Sequence, residues 1–282
     1  MATEKDDIAK QKPSKYQRLS QKYHYVKQKY LKFLPRSPIA RLFKALYIPK
    51  RTFEILTIVD PHIRKALFFY RKNHSKLESN GANERDLNYF LKFLKETELL
   101  DGDVLELGVY KGAMTTLFAN FLKQINSKKK VYACYTFTVF PYDDKFSGHK
   151  NAKKGYLSDT SYEYVIKKFQ EFEVDDKIVV IKGLFEEAVP QKLSDKKFSF
   201  ILFDFDLYQS TMQALHFVYP RVPKNGIMIF QNYYYSANKN KPDWGETKAV
   251  DEFFADKGIE INKKPIPHFI KSKFVVSNGR YH

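Results

Sequence analysis

The chain has 282 residues, of which 43% are apolar, so it can form one large domain or one domain with an extension. No stretch approaches the roughly 18 uninterrupted apolar residues of a membrane helix, and the charged N-terminus lacks the apolar segment of a secretory signal. A single cysteine, Cys134, excludes an internal disulfide and a metal site built from cysteines. These features indicate a cytoplasmic protein.

The net charge of +17 is unevenly distributed along the chain. Residues 1–50 hold 13 Lys and Arg against three acids, a net of +10, which leaves +7 for the other 232 residues. The excess is therefore read as a basic tail, and no specific nucleic-acid partner is expected. Docking of this tail on its own domain or on a partner subunit is favoured, and peripheral contact with an anionic membrane or polysaccharide surface stays open as an alternative.

Two helical regions are predicted before residue 101. Residues 1–50 form a basic, partly helical extension, in which aromatic and apolar residues recur at roughly helical spacing before Pro35. Residues 51–100 form a helical cap. One apolar stripe of this cap consists of Leu87, Phe90, Leu91 and Leu94. Asn83 is the expected N-cap of that helix.

From Asp101 onwards, short apolar strands alternate with helices. Strands are predicted at 104–107, 131–134, 178–181, 198–203, 227–230 and 274–276, and helices at 113–122, 162–172, 211–219 and 248–256. Such alternation predicts a parallel sheet that is covered by helices on both faces. Residues 101–282 are therefore expected to form one α/β domain.

The turn after the first predicted strand contains Glu106, Gly108 and Gly112 and leads directly into a helix. Glycines in such a turn let the backbone approach a ligand closely, and ligands of open α/β sheets bind at the carboxyl ends of the strands. The spacing is not the Gly-x-Gly-x-x-Gly that cradles a pyrophosphate, and it suits a ligand with no phosphate and a cationic end. A plain turn without a ligand is the alternative.

A second polar segment follows the apolar strand at 198–203. Asp204 and Asp206 leave this strand at its carboxyl end, and either acid could cap the next helix, with Asp206 the better placed of the two. A lone carboxylate after a run of apolar or small residues needs a partner or a metal. Asp204 is therefore a candidate site residue.

Together these segments resemble the macrocin O-methyltransferase (TylF/MycF-like) family of class I methyltransferases, from about Arg85 to the C-terminus. The matching runs are Gly102–Gly112, Thr136-Phe137 with Phe140-Pro141, Gly183–Phe185 with Pro190, Asp204–Thr211, and Tyr219–Arg221 with Gly226. The resemblance implies a Rossmann-like α/β fold with a mostly parallel, seven-stranded sheet and helices on both faces. It also implies methyl transfer from S-adenosylmethionine to a hydroxyl of a sugar, or of a surface-polysaccharide or natural-product precursor.

The resemblance assigns two groups of residues to S-adenosylmethionine. The methionyl and ribose end would be held by Glu106, Gly108 and Gly112. The adenosine would lie by Tyr135, Thr136 and Phe137. Tyr135 stands where the family has an Asp that grips the ribose, and a phenol cannot accept two ribose hydroxyls as a carboxylate does. Val139 likewise stands where the family has a glycine.

The acceptor side rests on Asp204, which would orient the acceptor oxygen directly or through a metal. The implied metal ligands are Asp204, Gln231 and Asn232, but the family has Asp-Asp at the last two positions. Mg²⁺ is attracted to its site mainly by carboxylate charge. This chain has one carboxylate where the family has three, which predicts weak or lost Mg²⁺ binding. His149 is a candidate general base, with a solvated loop histidine as the alternative.

Other interpretations of the chain differ in class. A non-catalytic relative could keep the fold as a binding or scaffolding domain after losing the metal site. An NAD-linked enzyme is disfavoured by the glycine spacing. A small-molecule or saccharide acceptor is the expected partner, homo-oligomerisation is compatible with the sequence, and Tyr233–Tyr235 with Trp244 would form a sugar-stacking wall or a lid.

Overall fold

The computed structural model divides the chain into two compact units, residues 1–57 and 58–282. It describes residues 55, 58–79, 84–137, 143–144, 146, 154, 157–204, 207–233, 245–259 and 274–277. Ile55 is the one described residue of the first unit. The predicted extension at 1–50 lies outside the described residues, and the boundaries at 50 and 100 stay predictions.

Among the described residues, three helices precede the sheet: α1 (Pro61–Lys72), α2 (His74–Leu77) and α3 (Glu84–Glu96). The Asp60 carboxylate caps α1 by accepting hydrogen bonds from the amides of His62, at 2.9 Å, and Ile63, at 3.1 Å. The predicted apolar stripe of α3 is confirmed, because all four of its side chains are buried. Asn83, the expected N-cap, lies outside the described residues.

The strands are β1 (Asp103–Leu107), β2 (Val131–Tyr135), β3 (Ile178–Lys182), β4 (Phe198–Phe203), β5 (Ile227–Phe230) and β6 (Phe274–Ser277). Their order across the sheet is β3-β2-β1-β4-β5-β6. The first five pair in parallel, and β6 pairs antiparallel with β5. The predicted mostly parallel sheet is confirmed, but the seventh strand is not, since the described residues form six.

The remaining helices are α4 (Ala113–Gln124), α5 (Tyr162–Glu171), α6 (Phe185–Leu193), α7 (Tyr208–Val218) and α8 (Gly245–Asp256). The prediction missed α6, which carries Pro190 in its interior. It also placed the beginnings of α7 and α8 three residues too late. Short 3₁₀ turns at Asp175–Lys177 and Tyr219–Arg221 precede β3 and follow α7.

Helices pack on both faces of the sheet, as predicted. On one face, Phe200 of β4 meets Phe118 of α4 with ring centroids 5.4 Å apart. On the other, Ile201 and Phe203 belong to an apolar cluster that includes buried residues of α7 and α8. Strand β4 is buried over its whole length, as expected for a central parallel strand. None of the helices in the described ranges is long and apolar enough to cross a membrane.

Candidate functional site

The carboxyl ends of β1, β4 and β5 meet at one edge of the sheet and bring several predicted site residues together. The amide of Asp204 donates to the carbonyl of Leu107 at 2.8 Å, and the amide of Gln231 donates to the carbonyl of Phe203 at 2.9 Å. The glycine-containing turn after β1 therefore lies directly beside the acid after β4. Ligands of open α/β sheets bind at this edge.

The two glycines of the turn are required for different contacts. Gly108 has a φ of +99°, and a Cβ there would lie 2.4 Å from the carbonyl oxygen of Asp204. Gly112 has a φ of +78°, and a Cβ there would lie 2.8 Å from Cε1 of Phe169 in α5. Gly108 thus permits close approach of two strand ends, and Gly112 permits close packing of α5.

Glu106 is a buried carboxyl group behind this turn, with an exposed fraction of 1%. It accepts a hydrogen bond of 2.5 Å from the Thr115 hydroxyl, which ties β1 to α4. Burial raises the pKa of Glu106 well above its ordinary value, the Thr115 bond partly offsets this, and the Asp204 carboxylate raises the pKa further. The structure therefore places Glu106 against α4, and its direct contact with a ligand stays a prediction.

Aromatic rings gather where β2 ends. Phe137 is buried with a φ of +58°, and its ring meets the rings of Tyr135 and Tyr162 edge to face at centroid distances of 5.4 and 5.7 Å. Thr136 and Tyr135 are half-buried. The expected adenosine side of the site is therefore an aromatic wall, to which α5 contributes a residue that the sequence analysis did not identify, Tyr162.

Asp204 and Asn232 form a side-chain pair, in which Nδ2 of Asn232 donates to Oδ1 of Asp204 at 3.3 Å. The main-chain amide of Asn232 donates to Oε1 of Glu246 at 2.7 Å. Glu246 is fully buried at the beginning of α8. Glu246 was missed because an acid in the first turn of a helix is common for reasons of the helix dipole alone. Gln231 is half-buried next to this pair.

The beginning of α7 is capped from a distant part of the chain. The amide of Tyr208 donates to the Asp144 carboxylate at 2.6 Å, while the N-cap residue of α7, Leu207, offers no side-chain bond. The Tyr208 hydroxyl donates to Glu252 at 2.6 Å, and this bond, with burial, raises the pKa of Tyr208 to about 12. Asp206, the predicted cap, lies outside the described residues.

Several other candidate residues cannot be placed at the site. His149, Val139, Tyr234, Tyr235 and Trp244 lie outside the described residues, so the roles expected for them stay predictions. Within the described part of the chain, no group of three or more His, Cys, Asp or Glu side chains could hold a metal ion. Cys134, in β2, is buried.

The parallel sheet, with a glycine turn and an acid at neighbouring strand ends, defines a Rossmann-like α/β protein of the methyltransferase type. The chain belongs to the macrocin-O-methyltransferase (TylF) family, which it matches over residues 86–267. The predicted family is therefore confirmed, and the prediction of an O-methyltransferase is confirmed at the level of the family. Membership in a family of enzymes favours this interpretation over a scaffolding domain.

Individual relatives are distant. The chain is 25% identical over 139 residues to the demethyldecarbamoylnovobiocin O-methyltransferase of Streptomyces niveus, a match that covers 47% of this chain. It spans 53%, or about half, of that relative's length. The O-methyltransferase NovP has a TM-score of 0.56 at 21% identity, covering 71% of this chain and 84% of its own. CalS11, a calicheamicin methyltransferase, has 0.57 at 20% identity and covers 99% of both chains. These likenesses confirm the predicted fold.

Proposed function

We propose that this protein transfers the methyl group of S-adenosylmethionine to a hydroxyl of a sugar or of a related surface-polysaccharide or natural-product precursor. The observation that carries the proposal is the contact between the Gly108 turn and Asp204. The cofactor turn and the acid that would face the acceptor share one main-chain contact at the ligand-binding edge of the sheet. Family membership supports the reaction type.

The residues at this edge suit S-adenosylmethionine, which supplies a methyl group on a positively charged sulfur. The turn from Gly108 to Gly112 brings main chain to the end of β1, next to the buried Glu106. The half-buried ring of Tyr135, which packs against the buried Phe137, offers a surface for the adenine to contact, and the neighbouring Thr136 offers a hydroxyl. The turn would thus hold the methionyl and ribose end, and the wall the adenosine.

On the acceptor side, Asp204 would align the hydroxyl for in-line attack. When bound, S-adenosylmethionine would supply the methyl group to the acceptor oxygen and leave as neutral S-adenosylhomocysteine, and the Asp204 carboxylate or His149 would take the hydroxyl proton. Nδ2 of Asn232 donates to Oδ1 of Asp204 at 3.3 Å, which would help to orient the carboxylate. Alignment of two bound reactants supplies most of the rate in such a transfer.

The acceptor edge does not fit Mg²⁺ in the way that a three-carboxylate site does. The edge has one carboxylate, Asp204, to which the Asn232 side-chain amide already donates, and Gln231 adds a neutral amide in place of a carboxylate. We expect EDTA to leave methyl transfer unchanged. The double variant Gln231→Asp with Asn232→Asp should gain Mg²⁺ affinity that calorimetry can measure. Tight Mg²⁺ binding by the wild type would show that amide oxygens suffice.

The decisive experiment pairs cofactor binding with turnover. Titration of the full chain with S-adenosylhomocysteine should release or absorb measurable heat, and Asp204→Asn should retain this binding while losing methyl transfer. Mass spectrometry of small molecules that co-purify, followed by assay of the identified hydroxyl compound, supplies the acceptor. If the protein binds S-adenosylhomocysteine but methylates no co-purifying or sugar acceptor, the non-catalytic scaffolding interpretation is favoured instead.

A further inference from the structure

A network of charged and hydroxyl groups holds the tip of the turn between β1 and α4. Tyr110 lies at this tip with a φ of +47°, a left-handed conformation that costs a residue with a side chain about 1 kcal/mol or more. Its carbonyl accepts from the Thr160 hydroxyl at 3.1 Å, and its own hydroxyl donates to Asp159 at 2.7 Å. Both the main chain and the ring of Tyr110 are thus fixed by the segment before α5.

Lys111, the next residue, joins this segment to the end of α2. Its ammonium lies 2.9 Å from Oδ2 of Asp159 and 3.1 Å from Oε1 of Glu78, and its side chain is only 16% exposed. The Glu78 side chain is 36% exposed and that of Asp159 is 62% exposed, so solvent screens the pairing with Glu78 less than the pairing with Asp159. The hydrogen bonds to Asp159 and Glu78 outweigh desolvation and raise the pKa of Lys111, so the lysine stays charged.

Glu78 extends the network to α5. Its second carboxylate oxygen accepts from the ammonium of Lys168, at 3.2 Å, and from the hydroxyl of Tyr164. Burial acts to raise the pKa of Glu78, but the bonds from Lys111 and Lys168 outweigh it and the pKa is lowered. We call Glu78, Tyr110, Lys111, Asp159 and Lys168 the loop clamp.

The position of the loop clamp connects it to the cofactor side of the site. Tyr110 and Lys111 lie between Gly108 and Gly112, within the turn that would hold the methionyl end. Asp159 lies just before α5, which supplies Tyr162 to the aromatic wall on the adenosine side. The Asp159 carboxylate bonds to Tyr110 and Lys111 of the glycine turn. Because Asp159 also lies just before the aromatic wall in the chain, this one carboxylate connects the two sides of the cofactor site.

We propose that the loop clamp positions the glycine turn for S-adenosylmethionine, with Lys111 and Asp159 as positioning residues that set cofactor affinity. The inference rests on the proposed function. A turn that holds its binding conformation for only a tenth of the time has an apparent Kd about tenfold higher. The clamp's contacts run to Glu78 at the end of α2 and to Asp159 before α5, whereas Asp204 contacts Leu107 and Asn232. We therefore expect the reaction at saturating cofactor not to depend on the clamp.

The test measures the Kd of S-adenosylhomocysteine by calorimetry on the full chain, together with KM and kcat. Asp159→Asn and Lys111→Met should each raise the Kd, and the KM for S-adenosylmethionine, about tenfold with kcat unchanged. Lys111→Arg, which keeps the charge between the two carboxylates, should retain affinity within about threefold. Retention by Lys111→Arg separates loss of the clamp from general damage at position 111.

A matched control exists at the other end of α4. Asp176→Asn makes the same chemical change to an ion pair, with Lys123 at 2.8 Å, and the Asp176 side chain is 58% exposed against 62% for Asp159. This variant should bind like the wild type, and melting curves should show both variants folded. Equal affinities for wild type and Asp159→Asn overturn the clamp while leaving the proposed function intact. A wild type that does not bind S-adenosylhomocysteine overturns both.

Discussion

Gly108 lies so close to the main chain of Asp204 that one added methyl group would alter the site. A Cβ there would meet the Asp204 carbonyl oxygen at 2.4 Å, and the φ of +99° also disfavours any residue with a side chain. We expect Gly108→Ala to lower the free energy of unfolding by about 2–4 kcal/mol, from backbone strain and overpacking together. It should also weaken S-adenosylhomocysteine binding, because the turn and Asp204 must move apart.

Gly258 provides the control for this substitution. It also has a positive φ, of +65°, but a Cβ there would have nothing within 4 Å. Gly258→Ala should therefore cost only about 1 kcal/mol of backbone strain and leave cofactor binding unchanged. Urea unfolding of the two variants separates strain from overpacking. Similar losses in both would show that the Asp204 contact is not what requires glycine at 108.

Glu106 makes the stability of the protein depend on pH. Because burial raises its pKa well above the ordinary 4.5, the folded protein keeps a proton that the unfolded chain has released. The free energy of unfolding should therefore fall as pH rises above about 4.5 towards the raised pKa, by at most about 1.4 kcal/mol per pH unit. Glu106→Gln is neutral at every pH and should remove this part of the slope. Urea unfolding between about pH 5 and pH 8 measures it, and identical slopes for both proteins would contradict it.

At this scale, the sequence predicted residues that lie within a motif and missed residues that reach the site from elsewhere. Gly108 and Asp204 follow apolar strands, so their positions at the sheet edge follow from the strand pattern alone. Asp144 accepts from the amide of Tyr208 at the beginning of α7, 64 residues further along the chain. Glu246 accepts from the main-chain amide of Asn232, 14 residues before it. Such contacts depend on tertiary packing, and no local pattern identifies them.

Among the elements, strands were the most predictable and helix α6 the least. The strands are mostly apolar runs because both faces of the sheet are covered, and such runs are recognisable without a partner. Helix α6 contains Pro190, which removes an amide donor and normally ends a helix. The beginning of α7 was placed late because its cap comes from Asp144 rather than from a neighbouring side chain.

The amino ends of β1 and β4 are held by a buried lysine. The Lys129 ammonium donates to the carbonyl of Leu100 at 2.6 Å, to the carbonyl of Gly102 and to the Ser199 hydroxyl at 3.0 Å. Burial lowers the pKa of Lys129, so this charge carries a desolvation cost that the nearby carboxylates Glu98, Asp103 and Asp101 offset only in part. We expect Lys129→Met to destabilise the protein by about 2 kcal/mol, because the buried oxygens lose their donor.

The kcat should not change in this variant, since Lys129 lies at the amino ends of the strands and Asp204 at their carboxyl ends. Lys128→Met is the control, because Lys128 is the exposed neighbour of Lys129. Thermal melts and kcat for the two variants test both parts of the expectation. A fall in kcat without a fall in melting temperature would mean that the amino ends of the strands influence the site.

For the whole molecule, the division into units agrees with the charge distribution. Residues 58–282 form a compact unit that contains all six described strands, whereas residues 1–57 carry +10 of the net charge of +17. The family match, at residues 86–267, also lies entirely within the second unit. Folding and cofactor binding should therefore depend on the second unit, and electrostatic contact with surfaces on the first.

Deletion of residues 1–57 tests this separation. Residues 58–282 should keep a single cooperative melt and the S-adenosylhomocysteine affinity of the full chain, because the sheet and both sides of the cofactor site lie within them. Sedimentation with anionic vesicles should be lost, since the net charge falls from +17 to +7, and salt should weaken the binding of the full chain. The full-length variant with Lys22, Lys27, Lys29 and Lys32 changed to Gln separates charge from deletion, and should lose vesicle binding with an unchanged melt. Loss of the cooperative melt on deletion would mean that residues 1–57 complete the core.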